Sequence, residues 1–162
     1  MRIAVSACLL GETCRYDGRS KPCARVQELV ALGHELVPIC PEVAGGLPTP
    51  RTPCEIVQAP WMESGKARAA NEHSWTILDV SGTDRTAAYA RGAQAELARA
   101  KEAGCKLAIL KAKSPSCGSG EVYDGTFSGT LVPGWGIAAA AFRDAGITVI
   151  DETADFSRLA NG

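Results

Sequence analysis

Seven cysteines stand in a chain of 162 residues, an odd number that cannot all pair. With no secretory leader, a reducing cytoplasm is the expected compartment, where such thiols point to metal binding or catalysis rather than disulfides. Three of them share a setting. Cys8 lies just past the apolar run "RIAVS" (2–6), Cys40 closes "ELVPIC" (35–40), and Cys117 sits in "KSPSCGSG" (113–120) beyond "KLAILK" (106–111). Each falls at or just beyond the carboxyl end of an expected strand. Thiolates favour zinc or iron–sulfur centres, and three protein ligands would leave one coordination position for a substrate. No Cys-x-x-Cys occurs, so spacing alone does not choose the metal. Cys14, in "CRYDG", is a fourth candidate, as ligand or as an inert loop thiol. Cys23, Cys54 and Cys105 read as small buried hydrophobes in helix or loop settings.

The elements that must position these thiols follow from the hydrophobic periodicity. Strands are expected at 2–6, 35–40, 75–80, 106–111 and 147–151, with Pro38 placing the second at an edge or strand end. A helix is expected in "CARVQELVALGH", with Val26, Leu29, Val30 and Leu32 on its apolar face and Gly33 stopping it. A long helix should run from Thr83 or Asp84 through Ala103, and another from about Ile137 to Ala145. "EVYDGTFSGTLV" reads as a hairpin about Asp124-Gly125. "PEVAGGLPTPRTP" is too rich in glycine and proline for regular structure. Strands alternating with helices imply an α/β layered fold with a mainly parallel sheet, in a single domain over 1–162. In such sheets the carboxyl strand ends carry the ligand crevice.

Charge and the remaining motifs narrow the partners. A net charge of −1 provides no global basic field for DNA, and no apolar run approaches the length of a membrane span. A small molecule is the expected substrate. Arg15, Arg19, Lys21 and Arg25 cluster against Asp17; this is either a solvated run or an anion site beside the crevice, and Arg51 carries a similar possibility. "GWGIAAAAF" (134–142) only partly matches a dinucleotide fingerprint, and a tightly packed helix start explains its glycines as well. His34 is expected as a surface cap after Gly33. Neither His34 nor His73 stands in a motif with a cysteine.

Three longer stretches carry a resemblance. "VSACLLGETCRYDG", "PICPEVAGGLPTPRTPCEI" and "LKAKSPSCGSGEVYDGTFSGTLVPGWG" closely resemble the thiouracil desulfidase family, most weakly over 58–75 and the tail. The resemblance implies a Rossmann-like α/β domain that carries a [4Fe-4S] cluster on three cysteines and removes sulfur from a thiolated pyrimidine without net redox change. Carried over, it makes Cys8, Cys40 and Cys117 the ligands, with Cys14 as a possible replacement for one of them. Its carboxylate falls on Glu42 and its serine on Ser114 or Ser116, while Arg15, Arg19 and Arg51 are substrate or anion candidates. The substrate stays open among free base, nucleoside, nucleotide and tRNA. Gly118 and Gly120 are expected to let backbone approach the cluster. Two rival readings are a cysteine-bound zinc module and a cluster-free nucleotide-binding domain.

Overall fold

The computed structural model describes residues 1–57 and 75–159. Its centre is a four-stranded, wholly parallel sheet of β1 (Arg2–Ser6), β2 (Glu35–Ile39), β5 (Leu107–Leu110) and β8 (Thr148–Asp151), in the order β2-β1-β5-β8. The α/β layered fold with a mainly parallel sheet is therefore present. β2 is an edge strand, as Pro38 requires, because proline lacks the amide that a second neighbour would need.

Alternation along the strands builds two apolar layers. Ile3, Val5, Leu107 and Ile109 face one side and pack with Leu9, Val26, Leu29 and Phe156. Ala4, Ala108 and Leu110 face the other, under α3 (Thr86–Glu102) and α4 (Ile137–Asp144). Small alanines on that side let the helices sit close, and Tyr89, Ala93, Leu97 and Ala100 supply the apolar stripe of α3 at helical spacing.

Several expectations change. The expected helix in 23–34 is only one turn, α1 (Ala24–Gln27), followed by a 3-10 turn at Glu28–Val30. Val26 and Leu29 are buried, but Val30 and Leu32 are exposed, because the tighter winding rotates them off the apolar face. "PEVA" forms a short helix, α2 (Pro41–Ala44), with proline in its first turn where no amide bond is lost. The strand in 75–80 exists as β4 (Ile77–Asp79), yet it pairs antiparallel with β3 (Cys54–Ile56) outside the central sheet. β3 was not expected, since three residues give too short a pattern. His34 is buried rather than a surface cap, with its ring between the Met1 amine (3.3 Å) and the Leu159 carbonyl (2.9 Å). His73 lies outside the described residues.

The hairpin joins β6 (Ser119–Tyr123) to β7 (Leu131–Trp135). Its connection is longer than a two-residue turn and is closed by the Asp124 amide donating to the Thr130 carbonyl. No helix among the described residues is long and apolar enough to cross a membrane.

Candidate active site

β2, β1 and β5 are adjacent and parallel, so the residues after their carboxyl ends meet on one edge of the sheet. Cys8 sits in the 3-10 turn Ala7–Leu10 after β1, Cys40 precedes α2 after β2, and Cys117 follows β5. All three line one cavity of about 540 Å³, a size suited to a small ligand. Cys14 lines it too, near enough to Cys8 and Cys40 for both to act on its titration. All seven cysteines are free thiols.

Cys14, Cys40 and Cys117 all have raised pKa values, through bonds between thiols and through burial. A bond to Cys40 draws Cys14 down, but the bond to Cys8 and burial outweigh it and push Cys14 up to about 11. The bond to Cys14, then burial, pushes Cys40 up further. Burial alone dominates for Cys117, pushed up to about 12. Such a set is easily ionised only when a cation is bound among it. Among the described residues no three His, Cys, Asp or Glu side chains close on a single point as ligands of one ion.

Cys117 is held by the loop that carries it. Ser114 Oγ accepts the Ser116 and Cys117 amides, at 3.2 and 3.1 Å. The carbonyls of Pro115 and Ser116 are taken by the first amides of α4, with Ile137 donating to Pro115 and both Ala138 and Ala139 to Ser116. Gly136 makes that approach possible, since a Cβ there would stand 2.5 Å from the Ser116 carbonyl carbon and 2.7 Å from the Cys117 nitrogen. Gly136 of "GWGIAAAAF" thus serves close packing, and the start of α4 is occupied by the loop. Gly118 has a different role from the one expected. Its missing Cβ would meet the Ser114 and Glu121 carbonyls, so it closes the loop on itself rather than opening it to a cluster.

Glu42 lies two residues past Cys40, in the first turn of α2. Its Oε1 accepts from Arg51 Nε at 3.0 Å and from the Tyr89 hydroxyl at 2.9 Å. Its Oε2 accepts from Ser116 Oγ at 2.8 Å. A carboxylate offers about four acceptor positions, so Oε1 is filled while Oε2 keeps one free. Ser114 Oγ and Ser116 Oγ are 3.0 Å apart. Because Ser114 already accepts two amides, its proton goes to Ser116, whose own proton goes to Glu42. The three groups form one directed chain.

Of the three arginine candidates, Arg15 lines the cavity, with its guanidinium 5.8 Å from the Tyr16 ring centroid. Arg19 is exposed and does not line it. Arg51 lines it, but its nitrogens are engaged by Glu42, Pro48, Thr49 and the Cys14 carbonyl, the last at 2.7 Å. This guanidinium is tied to the protein, so it orients Glu42 rather than meeting a substrate anion. Arg25 lies against Ala154 and the Phe156 ring.

Sequence reasoning missed Tyr89, a residue of the buried α3 stripe whose hydroxyl reaches Glu42 and whose pKa is raised by burial, then by Glu42 and Cys54. It also missed Glu96, whose carboxylate accepts the Cys40 amide at 3.0 Å. No local pattern separates either from an ordinary helix residue. Cys54, read as a small buried thiol and, from the family resemblance, as an extra thiol near the site, is buried at the start of β3 and lines the cavity beside Tyr89.

An α/β domain that gathers cysteines, a carboxylate and two serines at its carboxyl strand ends belongs to a class that works on small molecules in that crevice. Comparison with known proteins makes this specific. The sequence model of the 2-thiouracil desulfurase family matches residues 3–154, and the chain belongs to that family. It is 42% identical over 150 residues to the uncharacterized protein YbbK of Bacillus subtilis (strain 168), covering 93% of this chain and 95% of that one. It is also similar to a solved structure named [4Fe-4S]-dependent thiouracil desulfidase TudS, with a TM-score of 0.77 and 41% identity, over 94% of this chain and 91% of that one.

Proposed function

We propose that this chain, as a single domain, replaces the sulfur of a thiolated pyrimidine by oxygen at a [4Fe-4S] cluster held by Cys8, Cys40 and Cys117. The observation that carries the reading is that these thiols follow three adjacent parallel strands and line one cavity with Glu42. Donor chemistry fits the group: the three thiols are free, buried or half-buried, and line one cavity, and thiolates are the usual ligands of iron–sulfur clusters. Cys14 stays a thiol neighbour. When bound, the cluster would supply a Lewis-acidic iron without a protein ligand, to which a soft thiocarbonyl sulfur is suited.

The remaining chemistry falls to side chains. Water supplies the oxygen, the C=S bond is exchanged for C=O, and the two water protons leave, both with sulfur as hydrogen sulfide or one with hydrosulfide and one to solvent. No electron is transferred overall. Glu42 takes the first proton through the open position on Oε2, while Arg51 and Tyr89 keep Oε1 fixed. Protonated Glu42 then gives that proton to the departing sulfur from the same open position, while the Ser114–Ser116 chain keeps Oε2 in place. Positioned proton transfer of this kind is worth roughly 10²–10⁴-fold.

The substrate is a thiopyrimidine as free base or nucleotide, with Arg15 and Lys113 at the cavity to meet an anionic substituent. Free thiols of this kind suit a reducing compartment. Anaerobic incubation with thiouracil tests the reading. Loss of its absorption band with one sulfide per uracil supports it, and no turnover by iron-loaded protein refutes it.

A further inference from the structure

Among the described residues, two that are not glycine hold a positive φ, Lys113 at 68° and Phe127 at 55°, and both line the cavity. Backbone in this region is unfavourable for bulky side chains and gathers at functional sites. Phe127 is the more informative. Its loop, 124–130, has three residues at positive φ: Gly125 at 91°, Phe127 at 55° and Gly129 at 77°. Two of the three are glycines, Gly125 pressed against the Ile56 carbonyl, where a Cβ would stand 2.8 Å away, and Gly129 in open space. At 127 the loop keeps an aromatic ring.

Packing does not explain that ring, for Phe127 is half-buried and belongs to neither apolar layer. The protein instead holds it rigidly. Glu55, only 9% exposed, accepts the Gly125 and Phe127 amides on the same oxygen, at 3.0 and 3.1 Å. Hydroxyls of Thr126, Ser128 and Thr130 are linked along the loop at 2.6 and 2.7 Å. A buried carboxylate reaching from β3 to fix two amides of a distant hairpin loop is a costly device unless the loop must be in one place.

We propose that Phe127 determines specificity by offering its ring as the face on which a flat heteroaromatic ring stacks, with Glu55 as the positioning residue that sets it. The proposal rests on the desulfidase reading for the identity of that ring. Stacking tolerates any substituent pattern but demands flatness. It accounts for recognition of a base while its thiocarbonyl edge remains available to the thiol end of the cavity.

The test uses iron-loaded wild type, Phe127→Ala, Phe127→Gly, Phe127→Tyr and Glu55→Gln. KM and kcat are measured with thiouracil, and binding of uracil and of puckered 5,6-dihydrouracil is measured by calorimetry. Loss of one base–aromatic stack predicts a KM raised roughly 10–100-fold in Phe127→Ala and Phe127→Gly, with kcat nearly unchanged. Phe127→Tyr keeps the stacking face and so recovers most of the KM lost in Phe127→Ala, and Glu55→Gln raises KM while amide exchange at 125 and 127 quickens. Wild type prefers uracil over dihydrouracil, and Phe127→Ala abolishes the preference. Phe127→Gly melts at or above the wild-type temperature because the strain is relieved, a result that a merely structural phenylalanine would not give. An unchanged KM in Phe127→Ala, or equal binding of the two ligands by wild type, overturns the proposal. Absence of sulfide release by loaded wild type would refute the desulfidase reading alone, since the two binding measurements still decide the stack.

Discussion

Ser116 Oγ donates to Glu42 Oε2 at 2.8 Å, joining residues 74 positions apart in the chain. The contact ties the loop after β5 to the helix after β2 and places an acid–base group between two cysteine-bearing segments. Through Ser114, the same chain reaches the Cys117 amide. Proton transfer and thiol placement are therefore coupled in one short network.

Glu42→Gln keeps the size of the side chain and removes the base. Its kcat should fall roughly 10²–10⁴-fold, while iron content and visible absorbance stay at wild-type levels. Near-normal turnover in this variant would remove Glu42 from the chemistry.

Ser116→Ala cuts the bond to Glu42 and should lower kcat with little change in KM. Ser114→Ala also leaves two loop amides without an acceptor, at a cost of about 1–3 kcal/mol. It should therefore lower the melting temperature more than Ser116→Ala, as well as slowing turnover. Equal thermal effects would show that the two amides find other partners.

Gly136→Ala places a methyl against the Ser116–Cys117 peptide, with 2.5 Å to the nearest atom and backbone on both sides. Neither chain segment can yield cheaply, so overpacking of about 1–3 kcal/mol is expected. The Cys117 loop should shift and iron occupancy should drop. Wild-type iron content in Gly136→Ala would mean that the loop moves without disturbing the thiol.

Asp79, 2% exposed, accepts the Thr83 and Ser81 amides and pairs with Arg85. These contacts, led by the Thr83 amide, hold its carboxyl below the ordinary 3.8. A depressed folded-state pKa stabilises the protein above the unfolded value, and that contribution is lost as pH falls through the lower folded value. Asp79→Ala should thus melt earlier than wild type at pH 7, with the gap narrowing below about pH 4. A gap independent of pH would assign the effect to packing.

The central sheet and the crevice were legible because strand alternation and glycine stops are local signals. β1, β5, β8 and both longer helices needed nothing else. Cys8, Cys40 and Cys117 could be placed at strand ends from the same signals, and their neighbourhood then followed from a parallel sheet. What failed was decided by tertiary context. Val30 and Leu32 look like core until the winding tightens, and β3 is too short to declare itself. Arg51 reads as a free cation until Glu42 and the Cys14 carbonyl are found beside it. Tyr89 and Glu96 reach the site from a helix whose pattern reports only its apolar stripe.

Iron and acid-labile sulfide per chain, measured in anaerobically prepared wild type and in the Cys8→Ser, Cys40→Ser, Cys117→Ser and Cys14→Ser variants, test the three-thiol centre most directly. Equal amounts of iron and sulfide are expected in wild type and Cys14→Ser, with loss in each of the other three. Wild type carrying zinc without sulfide, or Cys14→Ser losing iron as completely as Cys40→Ser, would contradict it.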